Sequence, residues 1–201
     1  MSTERTPVLY VGGLGRSGST LLNRLLGQVP GHVAVGELIY LWEHSLTRDH
    51  ECGCGKRFTD CEFWSSVGEH AFGGWHNIDG AEVFALQRSV ANTTYIPLLV
   101  APWLWPAFNA RLQRYADLMG RLFEGIRRAS GADVIVDSSK YPAPSIYCGM
   151  SALSTFASCT SCVIRGGWPT PGARGSVGLN RAPPPMRRCP SGQRAWSHAG
   201  G

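Results

Sequence analysis

Charge is scarce in this chain, and what there is lies unevenly. Of 201 residues only 16% are charged, against 43% hydrophobic, a balance that excludes a wholly disordered chain. No apolar run approaches the roughly 18 residues that a membrane-spanning helix needs. Met1 to Pro7 carries Glu4 and Arg5 where a secretory leader would carry an apolar core. The expectation is a cytoplasmic protein with no transmembrane segment. Acidic residues are missing altogether after residue 150. Residues 1–150 hold all 14 acids and 13 of the 19 Lys and Arg, whereas residues 151–201 hold 6 Arg and no acid. The formal net charge of +5 is therefore a body of −1 and a tail of +6. Taken whole, that charge would suggest a nucleic-acid partner. Once it is located in the tail, no nucleic-acid partner is expected.

The first 150 residues alternate between two periodicities. Val8 to Val11 is a short apolar run leading into Gly12-Gly13-Leu14-Gly15-Arg16-Ser17-Gly18-Ser19-Thr20. Leu21, Leu22, Leu25 and Leu26 follow at a spacing that puts them on one apolar helical face. His32 to Leu38 predicts a second strand, ending at Gly36-Glu37, and residues 49–64 a Cys- and Gly-bearing loop running into Phe63-Trp64. Helices are predicted over Ala81–Ala91 and over Arg111–Ala129, the latter stopped by Gly131. Between them Pro97, Pro102 and Pro106 forbid a regular helix, and Trp103 and Trp105 are expected to be buried, with an acceptor-site wall as the other reading. Val134 to Val136 predicts a third strand ending at Asp137-Ser138-Ser139-Lys140. Strands alternating with helices imply an α/β fold with a parallel sheet, whose site lies beyond the strands' carboxyl ends.

The glycine-rich loop is missing one residue. Gly13 and Gly18 have the spacing of G-x-x-x-x-G-K-[ST], and Thr20 takes the final hydroxyl position, but Ser19 stands where the lysine belongs. Backbone N–H groups at the head of a helix still suit a phosphate or sulfate. The lysine that neutralises the β- and γ-phosphates of ATP or GTP is absent. Arg16, inside the loop, offers a forked cation in its place.

Gly15-Arg16-Ser17-Gly18-Ser19-Thr20-Leu21-Leu22 resembles the 5′-phosphosulfate-binding loop of sulfotransferases that use 3′-phosphoadenosine 5′-phosphosulfate. The resemblance runs on through Val29-Pro30-Gly31-His32, Gly36-Glu37, the stretch from Cys52 to Trp64, and Val136-Asp137-Ser138-Ser139-Lys140. It covers most of residues 8–150 and is closest to the bacterial members of that superfamily. It implies a P-loop-NTPase-like parallel sheet flanked by helices, with Gly15 to Leu21 on the donor. Glu37 falls where the tyrosylprotein branch places its catalytic base, and Lys140 where that branch places a cation on the bridging oxygen. Ser138 and Ser139 are either donors to the phosphates or helix-leading residues. The implied acceptor carries a hydroxyl group. Sulfate esters carry less charge than phosphate esters, so the transfer does not call for a metal. Two other readings stand beside this one. The first is a P-loop nucleotide or nucleoside kinase, disfavoured by Ser19; the second is a non-enzymatic polyanion binder working through the basic tail.

Cys52, Cys54 and Cys61 form C-x-C-x6-C, one ligand short of a four-cysteine zinc site. His44, His50 or His70 could complete such a set, but no standard finger spacing is present. A disulfide is not expected without a secretory leader. The resemblance implies a structural loop here.

After Met150 the pattern gives out. Gly, Pro, Ala, Ser and Arg supply 33 of the last 51 residues, which reads as a disordered tail with no regular element. The resemblance requires a fourth strand after Lys140, followed by an Arg and a Ser for the donor's 3′-phosphate. Neither is legible in residues 151–201. Read one nucleotide back, the codons allowed for Cys159 to Gly172 permit H-L-V-R-D-P-R-G-V-A-Y-S-W, which holds the missing Arg and Ser. The expectation is a frame slip within about residues 150–155, a fold incomplete on its C-terminal side, and impaired activity. Without that strand the sheet would lose a central neighbour, leaving an unpaired edge and an uncovered core.

Overall fold

The computed structural model describes residues 6–12, 18–91, 95, 104–140 and 154–159, the last six for their backbone alone. Four strands form one sheet: β1 Thr6–Gly12, β2 His32–Gly36, β3 Val134–Lys140 and β4 Ser154–Cys159, in the order β2-β3-β1-β4. Every neighbouring pair is parallel. The helices are α1 Ser19–Leu26, α2 Glu62–Phe72, α3 Gly80–Val90 and α4 Pro106–Ser130.

Alternation along the strands sorts the apolar residues into two layers. Val8, Val33, Val35 and Ile135 face the larger core with α2 and α4. Val11, Ala34 and Val136 face the other way, and Leu9, Leu22 and Leu26 pack on them. Helices therefore cover both faces of the sheet, as parallel strands require. The leucine face of α1 is narrower than its spacing predicts. Leu22 and Leu26 meet the sheet, but Leu21 is 60% exposed and Leu25 58% exposed, and the buried positions are Ser19 and Asn23. The helix is only eight residues long and meets the sheet on a narrow stripe, so leucines one step round it remain outside.

Two helices differ from the expected ones. The stretch before α3 contains α2, whose Trp64, Val67, Gly68, Ala71 and Phe72 are buried at i, i+3, i+4, i+7 and i+8. Gly125 of α4 lets this helix come close: a Cβ there would sit 2.7 Å from the Ala71 Cβ and 2.9 Å from the Val67 carbonyl oxygen. α4 begins at Pro106 rather than Arg111, because proline is tolerated in a first helical turn that has no N–H partner to lose. Of the proline-rich segment, residues 96–103 lie outside the described residues, Trp103 included. The expected burial fails at Leu104 and Trp105, which are 61% and 47% exposed.

The tail also needs correcting. Ser154 to Cys159, in the frame as written, pairs with β1 from Thr6↔Ser154 to Val11↔Cys159. Parallel pairing joins main-chain groups and asks little of side-chain period, which is why composition concealed this strand. The edge of β1 is thus covered. The rest of residues 151–201 lies outside the described residues. Among the described residues no helix is long and apolar enough to cross a membrane.

Candidate functional site

The carboxyl ends of β1, β2 and β3 come together, and each is irregular there. The β1–β3 register slips between Tyr10 and Gly12, leaving Gly12 opposite Lys140. The β2–β3 register slips between Ala34 and Gly36, leaving Gly36 opposite Asp137. Bulges of this kind re-aim the residues that follow. Gly36 has φ +80° and Lys140 φ +66°, the latter a left-handed backbone that costs a side-chain-bearing residue of order 1–3 kcal/mol.

The result is a contact between residues 103 apart in sequence: the Lys140 ammonium donates to Glu37 Oε1. Both side chains are mostly covered, at 20% and 14% exposure, so the pair is largely shielded from water. Lys140 is one of only two lysines in the chain.

Asp137 and Ser139 hold this arrangement, a role the strand-end sequence did not reveal. Asp137 Oδ1 accepts from the Ser139 N–H at 2.9 Å, from the Ser139 hydroxyl, and from the Leu38 N–H at 3.5 Å. The Ser139 hydroxyl oxygen in turn accepts from the Ile39 N–H at 3.1 Å. The end of β3 therefore grips the two residues that follow Glu37. Burial pushes the Asp137 carboxyl up to about 6, and the nearby Glu37 adds to the rise; the Ser139 and Leu38 donors pull against it. Its second oxygen, Oδ2, is buried and has no hydrogen-bond partner among the described residues. Ser138 and Ser139 are thus buried strand residues, and the stretch directly after Lys140 lies outside the described residues.

The glycine-rich loop is described at its end only. Gly13 to Ser17 lie outside the described residues, and with them Gly15, Arg16 and Ser17. Gly18 has φ +80°, a conformation glycine adopts without a Cβ penalty, and leads into α1 with no side-chain cap on the helix N-terminus. Its carbonyl accepts from the Leu22 N–H at 3.0 Å. Ser19 is buried, Thr20 exposed and Leu21 exposed. Gly12, the last described residue before the loop, is the register partner of Lys140. The Glu37–Lys140 pair therefore lies beside the mouth of the loop.

The three cysteines are also brought together. Cys61 Sγ is 3.5 Å from Cys52 Sγ and 3.7 Å from Cys54 Sγ, and none is in a disulfide. His44, His50 and His70 do not join them. His44 stacks instead on Tyr40, and its ring lies 5.3 Å from that of His50. No family model, curated protein or solved structure matches this chain.

Proposed function

We propose that the chain is a sulfotransferase of the superfamily its motifs resemble, moving a sulfuryl group from 3′-phosphoadenosine 5′-phosphosulfate to an acceptor hydroxyl. The observation that carries the reading is the Glu37–Lys140 contact at the carboxyl ends of parallel strands, with Lys140 opposite Gly12 at the mouth of the glycine-rich loop. A base and a cation beside an anion-binding loop are the parts this transfer needs.

In the proposed step the acceptor oxygen attacks sulfur in line. The new O–S bond forms as the bond from sulfur to the donor's bridging oxygen breaks, leaving adenosine 3′,5′-bisphosphate. Glu37 takes the acceptor's proton. Lys140 exchanges the Glu37 carboxylate for the bridging oxygen, where negative charge grows as the bond breaks. Asp137 and Ser139 keep the Glu37 segment in place. Arg16 and the loop N–H groups from Gly15 to Leu21 receive the 5′-phosphosulfate. The Arg and Ser expected for the 3′-phosphate are not legible in this sequence, so donor affinity is low in the chain as written.

Thermal unfolding of the full chain with adenosine 3′,5′-bisphosphate, with ATP–Mg, and with heparin tests this. Stabilisation by the bisphosphate supports the reading, since binding to the folded state alone raises the midpoint. Stabilisation by ATP–Mg alone indicates a kinase-like protein. Salt-sensitive heparin binding that disappears with residues 151–201 indicates a polyanion binder.

A further inference from the structure

The loop between Glu51 and Cys61 is closed on itself. An isolated bridge pairs Glu51 with Arg57, Cys52 N–H donates to the Lys56 carbonyl at 2.7 Å, and Gly55 N–H to the Cys52 carbonyl at 2.8 Å. The Cys61 N–H, just before α2, reaches the Phe58 carbonyl at 3.2 Å. Phe58 is buried between the rings of Trp64 and Trp75 and anchors the loop to the core. These contacts bring three sulfurs from a C-x-C-x6-C stretch within 4.8 Å of one another. Cys52 and Cys61 are buried, and Cys54 is exposed at the rim.

A tetrahedral zinc with Zn–S bonds of about 2.3 Å spaces its sulfur ligands by about 3.8 Å. The sulfur separations here, 3.5 and 3.7 Å, match that spacing and exceed a disulfide bond by well over an ångström. The main-chain N–H groups of Cys54 and Lys56 point at the sulfurs of Cys52 and Cys54 and would donate to them as thiolates, while burial pushes the Cys52 thiol up. The Lys56 ammonium, fixed by Glu62 at 2.9 Å, adds a positive charge beside Cys54 and Cys61.

We propose that Cys52, Cys54 and Cys61 bind one zinc ion, which clips the 51–61 loop to the start of α2 and leaves its fourth position to solvent. Three thiols would bind Zn2+ with release of their protons to water and with no change of oxidation state. The three cysteines are not among the residues of the proposed transfer, and this proposal does not depend on it.

The test uses the full chain, purified without metal-affinity resin. Elemental analysis should find one zinc per chain, and cobalt reconstitution should give the charge-transfer absorption of cobalt thiolate. Cys54→Ser, which removes the exposed ligand and leaves the core intact, should abolish both. Serine at Cys148, Cys159, Cys162 and Cys189 together should leave both unchanged. A second measurement covers a misfolded variant: in the unmodified chain, zinc should slow alkylation of Cys52, Cys54 and Cys61 at least tenfold, and chelation should restore it. A metal-free chain that takes up no cobalt overturns the proposal, as does equal alkylation with and without zinc. A Cys52–Cys61 disulfide in the freshly purified protein overturns it too.

Discussion

Asp137 should make this protein less stable as the pH rises through the weakly acid range. Its carboxyl is fully buried, has one oxygen without a partner among the described residues, and is raised from 3.8 to about 6. Between those values the folded chain binds a proton that the unfolded chain has already lost, so stability falls as pH rises. At about 1.4 kcal/mol for each pH unit, the interval of roughly two units amounts to about 3 kcal/mol. Most of it, about 2 kcal/mol, should appear between about pH 4 and pH 7. Asp137→Asn keeps an oxygen for the Ser139 and Leu38 donors and removes the titration. Urea unfolding of both proteins across this range, compared as a difference, cancels every group they share. The variant should be the less stable at about pH 4 or close to equal, and should gain on the parent by about 2 kcal/mol toward pH 7. A difference that stays flat across the range would refute the reasoning, because it would mean that Asp137 ionises alike in the folded and unfolded chain.

Four further outcomes are expected. Gly125→Ala should cost about 1–3 kcal/mol in urea unfolding, because its Cβ would press on the Ala71 Cβ at 2.7 Å and on the rigid Val67 carbonyl at 2.9 Å. Glu124 is held down to about 2, chiefly by Arg127, with Arg128 and Thr6 adding to it. Its contribution is therefore present above its ordinary value and lost as pH falls toward 2; being partly open to solvent, Glu124→Gln should cost only about 0.5–1 kcal/mol near neutrality and nothing in strong acid. On the proposed function, Lys140→Met should lower transfer of sulfate from the adenylyl donor by about 100-fold or more in a chain that still unfolds cooperatively, at a midpoint lowered because Glu37 loses its partner, measured on any acceptor that gives a parent rate. Finally, the nucleotide sequence over residues 150–172 should spell the R-D-P-R and Ser string one base back; an early stop in that frame, or a different string, removes the frame-slip expectation.

Much of the sheet was legible because buried parallel strands leave short apolar runs between glycines. Val8 to Val11 and Val134 to Val136 lie within observed strands, whereas the predicted His32 to Leu38 overruns β2, which ends at Gly36 where the chain turns into a short helix at Leu38. β4 was not legible: Ser154 to Cys159 carries little apolar signal, and main-chain pairing with β1 is what makes it a strand. α2 was not expected, although Trp64, Val67, Gly68, Ala71 and Phe72 keep a helical spacing, because the Cys- and Gly-bearing stretch read as loop ran over its start. The outward turn of Leu21 and Leu25 depends on how α1 lies on the sheet, which spacing does not record. Glu37 and Lys140 could each be singled out from the strand-end motifs. That they touch depends on two register slips and a left-handed lysine.

The residue order alone determined a parallel α/β body, a glycine-rich loop without the lysine of the nucleotide-binding motif, and a net charge confined to the tail, because these are local properties of composition and period. Only the tertiary structure decided that Asp137 is buried and raised, that β4 covers the edge of β1, and that three cysteines converge. Each of these depends on which distant main-chain groups pair and on how much water the packed chain excludes, and both are properties of the assembled fold.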